Sequence, residues 1–373
     1  MKRIKLCIVM PTHWSSAMGG AEYQVKCLLD KIIDKEKYCI YYIARDIKED
    51  NIDIGYRKIK LQNFKRIEKY GYFMDGPILM KKLKEINPDI IYQRIACAYT
   101  GYAAYYAKTT NFKCKMMWHI SSDSDVKKHD ANYLRKPQKF IEDNIVKYGI
   151  KNAGVIIAQT EYQKKILFKN YNMRANLLVK NFHPFPNEKK IHKNKNDVNI
   201  IWISNFKRIK NPEIFISIAN DITKKVENVK FIMIGRQASW DQEWQNMLEK
   251  KIRIIPRLEY IGEKRIDEVN EYLSKSHLLV NTSSVEGFPN TFIQAWMRAV
   301  PVISLSCDPD NILKSQKIGI YAGSYKNLMN AIIYLIRRRD ILEEMGKRAR
   351  LYALREHSMK NADKIINYIE KIL

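Results

Sequence analysis

Three short stretches hold residues whose types and spacing could do chemistry on one ligand. The first is SSVEGFPNTFIQAW, Ser283 to Trp296. It sets a lone carboxylate, Glu286, and the turn residues Gly287, Pro289 and Asn290 between two apolar runs. Asn is a helix-capping type, so the segment predicts a helix capped by Asn290, with its first amides turned outward toward an anion such as a phosphate. A carboxylate beside a phosphate repels it, so Glu286 suits a polar, uncharged group. Sugar hydroxyls fit, because they donate to a carboxylate in charge-assisted hydrogen bonds. The second stretch, WISNFKRIKNPE from Trp202 to Glu213, places Lys207, Arg208 and Lys210 directly after an apolar run. Those cations could hold a diphosphate, or they could form a solvated loop in a lysine-rich chain. The third, MPTHWSSAMGGAEYQ from Met10 to Gln24, passes from an apolar run to a helical pattern through Gly19 and Gly20. Glycines there let the backbone approach an anionic ligand, or simply turn tightly. The spacing is not G-x-G-x-x-G, so a dinucleotide fingerprint is not supported.

Two acid pairs, Asp123/Asp125 and Asp308/Asp310, have the D-x-D spacing that can hold magnesium or manganese under a diphosphate. The second opens a helical pattern, where helix capping explains it as well, and no metal is expected at either. The histidines show no H-x-x-x-H or H-x-H spacing, so zinc is not indicated. His119 ends the apolar run KMMWH. It reads as a buried structural histidine or as a group facing a ligand at a strand end.

The elements that must position these residues alternate from end to end. IKLCIVM, YCIYYIA, DIIYQR, KMMWHIS, VIIAQT and NLLVKN read as strands, with helices such as AEYQVKCLLDKIID and EYQKKILFKNY between them. Near-continuous apolar strands alternating with amphipathic helices predict α/β architecture, with parallel sheets covered on both faces. The rhythm pauses in a Pro-, Asn- and Lys-rich segment and then restarts with IIWIS, KFIMIG, LEYIG, HLLVNTS and PVISLS. We therefore expect two doubly wound, Rossmann-like domains facing a central cleft. The expected boundaries are 1–185, a linker at 186–198, a second domain at 199–357, and a last helix at 358–373 that packs back on the first domain. From Ser324 to His357 the pattern reads as continuously helical.

Composition narrows the function classes. With 373 residues, 46% of them hydrophobic, the chain can build two real cores. No apolar run approaches the ~18 residues needed to cross a bilayer. The six cysteines are scattered without a C-x-x-C pair, which fits thiols in a reducing cytosol. A formal charge of +26 suits nucleic acid, an anionic membrane surface or an anionic substrate. The lysines are spread without a dense block and no nucleic-acid-binding module is visible, so nucleic acid is not expected as a partner.

EGFPNTFIQAWMRAVPVI, Glu286 to Ile303, together with GGAE, SNFKRIKNPE, WHIS and AQTEYQKKIL, resembles the retaining nucleotide-sugar glycosyltransferases of family four (glycosyltransferase group 1), which have the GT-B fold. The resemblance covers nearly the whole chain. It implies that Gly19 and Gly20 face the donor phosphate and the acceptor, that Lys210 binds the diphosphate, and that Glu286 binds the transferred sugar. By the same resemblance Gly287, Phe288, Pro289, Asn290 and Thr291 shape the phosphate turn, His119 lies near the sugar or acceptor, and Arg236, Ile261 and Gly262 stand where the nucleotide base docks. Three features depart from the family pattern, one of them Val300 in place of a usual glycine before Pro301. Asn205 occupies the place of the usual arginine, where Lys207 or Arg208 would compensate. Gln294 stands in place of the family's second acid and would meet the ribose only as a neutral amide, which costs ~1 kcal/mol.

The expected function is transfer of a hexose or N-acetylhexosamine from a nucleoside diphosphate sugar, a UDP-sugar above others, to an acceptor hydroxyl. The resemblance further implies retention of configuration, no metal or cofactor, a glycan or lipid-linked acceptor in cell-surface polysaccharide synthesis, and a cytoplasmic protein in peripheral contact with the anionic inner face of the membrane. The alternatives are a sugar-nucleotide epimerase or a phosphorylase on the same fold, and a basic non-catalytic protein that binds glycan or nucleic acid.

Overall fold

Short runs of Ile, Val, Leu and aromatic residues form two all-parallel sheets. The computed structural model describes residues 3–33, 36–48, 55–61, 71–127, 137–187, 191–237 and 241–373. The first sheet contains β1 (Ile4–Val9), β2 (Tyr38–Ala44), β3 (Arg57–Lys60), β4 (Ile90–Arg94), β5 (Lys115–His119), β6 (Val155–Ala158) and β7 (Leu177–Leu178), in the order β3-β2-β1-β4-β5-β6-β7. The second contains β8 (Val198–Ile203), β9 (Val229–Ile234), β10 (Leu258–Tyr260), β11 (Leu278–Asn281), β12 (Val302–Ser304) and β13 (Gly319–Tyr321), in the order β10-β9-β8-β11-β12-β13. The central strands are buried on both faces. In β8, Ile200 and Trp202 join one core with Phe215 and Phe231, while Ile201 joins another with Phe292 and Trp296. That split follows from the two-residue pleat.

Helices α1 (Gly20–Ile32), α2 (Gly76–Ile86), α3 (Ala98–Thr109), α4 (Pro137–Asn152) and α5 (Glu161–Tyr171) alternate with the strands of the first sheet. With the second sheet come α6 (Pro212–Thr223), α7 (Gln242–Arg253), α8 (Ile266–Lys275), α9 (Asn290–Met297), α10 (Ile312–Ser315), α11 (Tyr325–Arg337) and α12 (Arg339–Glu356), and α13 (Lys360–Ile372) ends the chain. The expected continuous helix from Ser324 to His357 is broken at Arg338, whose φ of −109° and ψ of 70° are not helical. The packing of α3 on α4 depends on missing side chains. A Cβ on Gly101 would strike the Ile145 carbonyl, and one on Gly149 would strike the Thr100 backbone.

The chain divides into two units, Met1–Phe182 with Met359–Leu373, and His183–Ser358. The chain thus crosses between them twice, at Phe182–His183 and at Ser358–Met359. Part of the segment read as a linker is already sheet, because β8 begins at Val198. Within the first unit α13 buries Ile365, Ile366 and Ile369 completely. Its polar face is tied by Lys31–Asp363 at 3.6 Å, by Lys37–Glu370 at 3.2 Å, and by the Tyr38 hydroxyl donating to Glu370 at 3.2 Å.

Candidate active site

In open parallel sheets, ligands sit outside the carboxyl ends of the strands, where the strand order reverses. In the second sheet that point lies between β8 and β11. The loops leaving these two strands are stitched together. The Thr282 hydroxyl donates to the Lys210 carbonyl at 2.7 Å and accepts from the Trp202 indole at 2.9 Å. The Ser284 amide donates to the Ile209 carbonyl at 2.9 Å. Asn211, in the left-handed region at φ 47°, donates its side-chain amide to the Thr282 carbonyl at 3.0 Å and to the Ser284 hydroxyl at 2.7 Å. Asn is one of the few residue types that tolerates that backbone. The stitching brings two residues 76 positions apart into contact: Lys210 Nζ donates to Glu286 Oε1 at 2.5 Å, with side chains 21% and 17% exposed.

Several other expected residues lie at the carboxyl edge of the same sheet. The Asn205 side-chain oxygen accepts from the Arg236 amide at 3.3 Å, and the Phe206 amide donates to the Arg236 carbonyl at 2.9 Å. Gly235 donates to the Gly262 carbonyl at 3.0 Å and accepts from the Tyr260 hydroxyl at 2.8 Å. Asn205, Arg236, Ile261 and Gly262 therefore share the carboxyl edge of β8, β9 and β10. The Arg236 side chain is exposed there, as is that of Lys207. Arg208 turns to Asp241, donating at 3.0 and 2.8 Å, with its guanidinium 5.0 Å from the Trp244 ring centroid.

The turn after Glu286 corrects one expectation. Asn290 does not hold the cap position of α9: the helix begins at Asn290 itself, and the cap position falls to Pro289, whose side chain makes no capping hydrogen bond. The Asn290 carbonyl oxygen Oδ1 instead faces His183 Nε2 at 3.0 Å. Phe288 is buried, 6.1 Å from Trp296 and 4.8 Å from His357 between ring centroids. Gly287 and Thr291 are half-buried on either side. Gln294, one turn further on, is buried and donates to the Asn270 side chain at 3.2 Å.

The remaining expected residues belong to the first unit. Gly19 precedes α1 in extended conformation, with Gly20 the first helical residue. His119 ends β5 and is wholly buried. Its Nδ1 lies 2.6 Å from the Tyr92 hydroxyl and 3.3 Å from Arg94 Nη1, and Arg94 Nη2 donates to the Asn181 side chain at 2.7 Å. A guanidinium only donates, so Nδ1 accepts and the ring proton sits on Nε2. Burial and then the Arg94 charge push the imidazole pKa well below its ordinary value, so His119 is neutral. Asp125 accepts from the backbone and hydroxyl of Ser121, both at 2.8 Å, and Asp308 accepts from the Leu313 amide at 2.8 Å at the start of α10. Both acids thus serve local backbone turns. Among the described residues no group of three or more His, Cys, Asp or Glu could hold a metal ion.

Sequence reasoning passed over Asn211, Thr282, Ser284 and His183. Asn211 carried a readable signal, an Asn before Pro212 at a helix start, and the other three became visible only through the topology.

Residues 197–338 match the family model described as Glycosyl transferases group 1. An uncharacterized glycosyltransferase of Methanocaldococcus jannaschii is 22% identical over 359 residues, 93% of each chain. A trehalose synthase of Thermococcus litoralis is 24% identical over 142 residues, 36% of this chain and 34% of that one. Among solved structures, Anabaena HepE in complex with UDP and glucose matches with a TM-score of 0.75 at 13% identity over 100% of both chains. WaaG, a glycosyltransferase involved in lipopolysaccharide biosynthesis, matches with a TM-score of 0.77 at 11% identity over 98% of this chain and 99% of that one. The fold of this chain is therefore GT-B, and its two units are the two doubly wound domains of that fold. Among the described residues no helix is long and apolar enough to cross a membrane.

Proposed function

We propose that this chain is a glycosyltransferase that transfers a hexose or N-acetylhexosamine from a UDP-sugar to an acceptor hydroxyl with retention of configuration and without a metal. The observation that carries the reading is the Lys210–Glu286 pair at the switch point of the second sheet. It offers a cation for a diphosphate and a carboxylate for sugar hydroxyls within one ligand's length. In the reaction the bond from the sugar's anomeric carbon to the diphosphate breaks on the face where the acceptor oxygen bonds. The acceptor's proton passes to the departing diphosphate oxygen. Catalysis then rests on positioning and on stabilising leaving-group charge, for which Lys210 and the start of α9 are placed. Paired carboxylates of the glycosidase type are not needed. HepE, solved with UDP and glucose, supports the donor class, and WaaG supports a glycan-building role. The roles of Gly19, Gly20 and His119 rest on the family resemblance. The charge of +26 supports a cytoplasmic enzyme that meets a lipid-linked glycan at an anionic membrane face.

A thermal-unfolding screen of nucleotide sugars tests the donor. At 100 times its dissociation constant a ligand adds about 2.7 kcal/mol of stability. With the donor found, Lys210→Ala is expected to lower transfer by roughly a hundredfold or more. Glu286→Ala and Lys210→Ala proteins as active as wild type would remove the assignment, and conversion of the sugar nucleotide without acceptor would favour an epimerase.

A further inference from the structure

Helices α2–α5 form one layer on the first sheet. Leu83 of α2, Ala103 of α3, Ile150 of α4 and Leu167 of α5 join a single core with Ile91 and Met116. Among the described residues α1 and α13 contribute nothing to that core, so α1, with α13 tied to it by Lys31–Asp363, lies on the opposite face. The two faces show different chemistry to water. Helices α2–α5 carry ten lysines against four acids. Two of those acids are paired locally, Glu85 with Lys82 at 2.8 Å and Glu161 with Lys164 at 3.0 Å, and Glu142 and Asp143 are half-buried. On α1 and α13 the balance is five lysines to four acids. The α2–α5 layer also exposes Tyr105, Phe140, Ile141, Tyr162 and Phe168, each between 39% and 51%, whereas no large apolar side chain within α1 or α13 is exposed. On α5 the two properties coincide. Gln163 and Leu167 turn inward, Tyr162, Lys165, Phe168 and Lys169 are exposed, and the Arg174 guanidinium lies 5.7 Å from the Phe168 ring centroid.

We propose that the α2–α5 face docks on an anionic lipid bilayer, its lysines meeting headgroup phosphates and its exposed aromatic and aliphatic side chains entering the interface. Exposed apolar side chains concentrated on one face mark an interaction surface, and the charge around them selects an anionic partner. A soluble polyanion would use the lysines and leave the apolar side chains in water; a bilayer takes up both. The proposal rests on the membrane contact read above from the net charge, and it is independent of the donor chemistry.

The test is sedimentation of the protein with vesicles of equal parts phosphatidylglycerol and phosphatidylcholine, and with vesicles of phosphatidylcholine alone. Three variants are compared with wild type: Lys147→Gln/Lys165→Gln/Lys169→Gln, Phe140→Ser/Phe168→Ser, and Lys360→Gln/Lys364→Gln/Lys371→Gln on α13, which has the same net charge as the first. All of these side chains are exposed, and thermal unfolding checks that each variant is folded. Wild type is expected to bind the anionic vesicles at least roughly tenfold more tightly than the neutral ones. The α4–α5 lysine variant is expected to weaken that binding roughly a hundredfold, at about fivefold per lysine. The serine variant is expected to weaken it roughly tenfold. The α13 variant is expected to stay within about threefold of wild type. Equal losses in the two lysine variants overturn the placement while leaving the membrane reading intact. Unchanged binding in the serine variant identifies a surface for polyanions in general and overturns the proposal. A wild type that binds neither kind of vesicle removes the membrane reading itself, and the proposal falls with it.

Discussion

Without ligand, the Lys210 ammonium is occupied by Glu286, so a diphosphate must draw it away from a carboxylate. Replacing that carboxylate by its neutral isostere, Glu286→Gln, should therefore tighten the binding of UDP, which has no sugar to lose. Fully exposed ion pairs contribute about 0.2–1 kcal/mol, and removing one partner of a buried pair costs about 3–5 kcal/mol. With side chains 21% and 17% exposed and a separation of 2.5 Å, this pair belongs between the two, near about 1.5 kcal/mol. That corresponds to roughly tenfold tighter UDP binding. Transfer moves the other way: loss of a charged acceptor for the sugar hydroxyls costs about 1.5–3 kcal/mol, roughly ten- to a hundredfold in kcat/KM. Calorimetric titration of UDP into wild type, Glu286→Gln, Lys210→Met and the double variant reads the first effect, and donor turnover reads the second. In the Lys210→Met background the Glu286→Gln gain should vanish. Glu286→Gln protein that binds UDP no better than wild type would refute the competition between carboxylate and phosphate.

Two further outcomes follow from the geometry. A Cβ on Gly235 would strike the Ser204 carbonyl, so Gly235→Ala should cost about 1–3 kcal/mol of stability. It should also disturb the Asn205–Arg236 contact, read as a lower Tm together with weaker UDP binding; wild-type values for both would contradict the packing. Buried His119 and His183 have pKa values below the ordinary value of about 6.5. Their contribution to stability is therefore complete above about pH 6.5 and is lost as pH falls toward the folded-state values, each histidine removing up to about 1.4 kcal/mol per pH unit. Urea unfolding at pH 7 and pH 5 should show the fall, and His183→Gln should lessen it; an unchanged slope would count against neutral, buried rings.

The alternation of strand and helix was legible because parallel strands buried on both faces leave continuous apolar runs, as in β1, β4 and β8. The elements passed over lack that mark. Helix α2 opens on Gly76–Pro77, which reads as a turn although Leu79, Leu83 and Ile86 are buried at helical spacing. The buried residues of α4 are Gly149 and Ile150, so its packing leaves no apolar stripe to see. Strand β13 begins with Gly319, required because a Cβ would strike the Val302 carbonyl. At the candidate site, Lys210 and Glu286 each stood out by type and place, but only the topology joins them. Asn290 was misread for a physical reason: capping propensity is a local preference, and a buried partner far away in sequence overrides it.

The first domain is built from two pieces of chain, with residues 183–358 between them. On a ribosome adding about 5–20 residues per second, that insertion alone takes roughly ten to thirty-five seconds. Throughout that interval the surface that will receive Ile365, Ile366 and Ile369 lies open to water. The second domain, encoded without interruption, can finish folding first. The half of the protein that emerges earliest is therefore the last to be sealed, and it is the half that nascent-chain chaperones would be expected to hold.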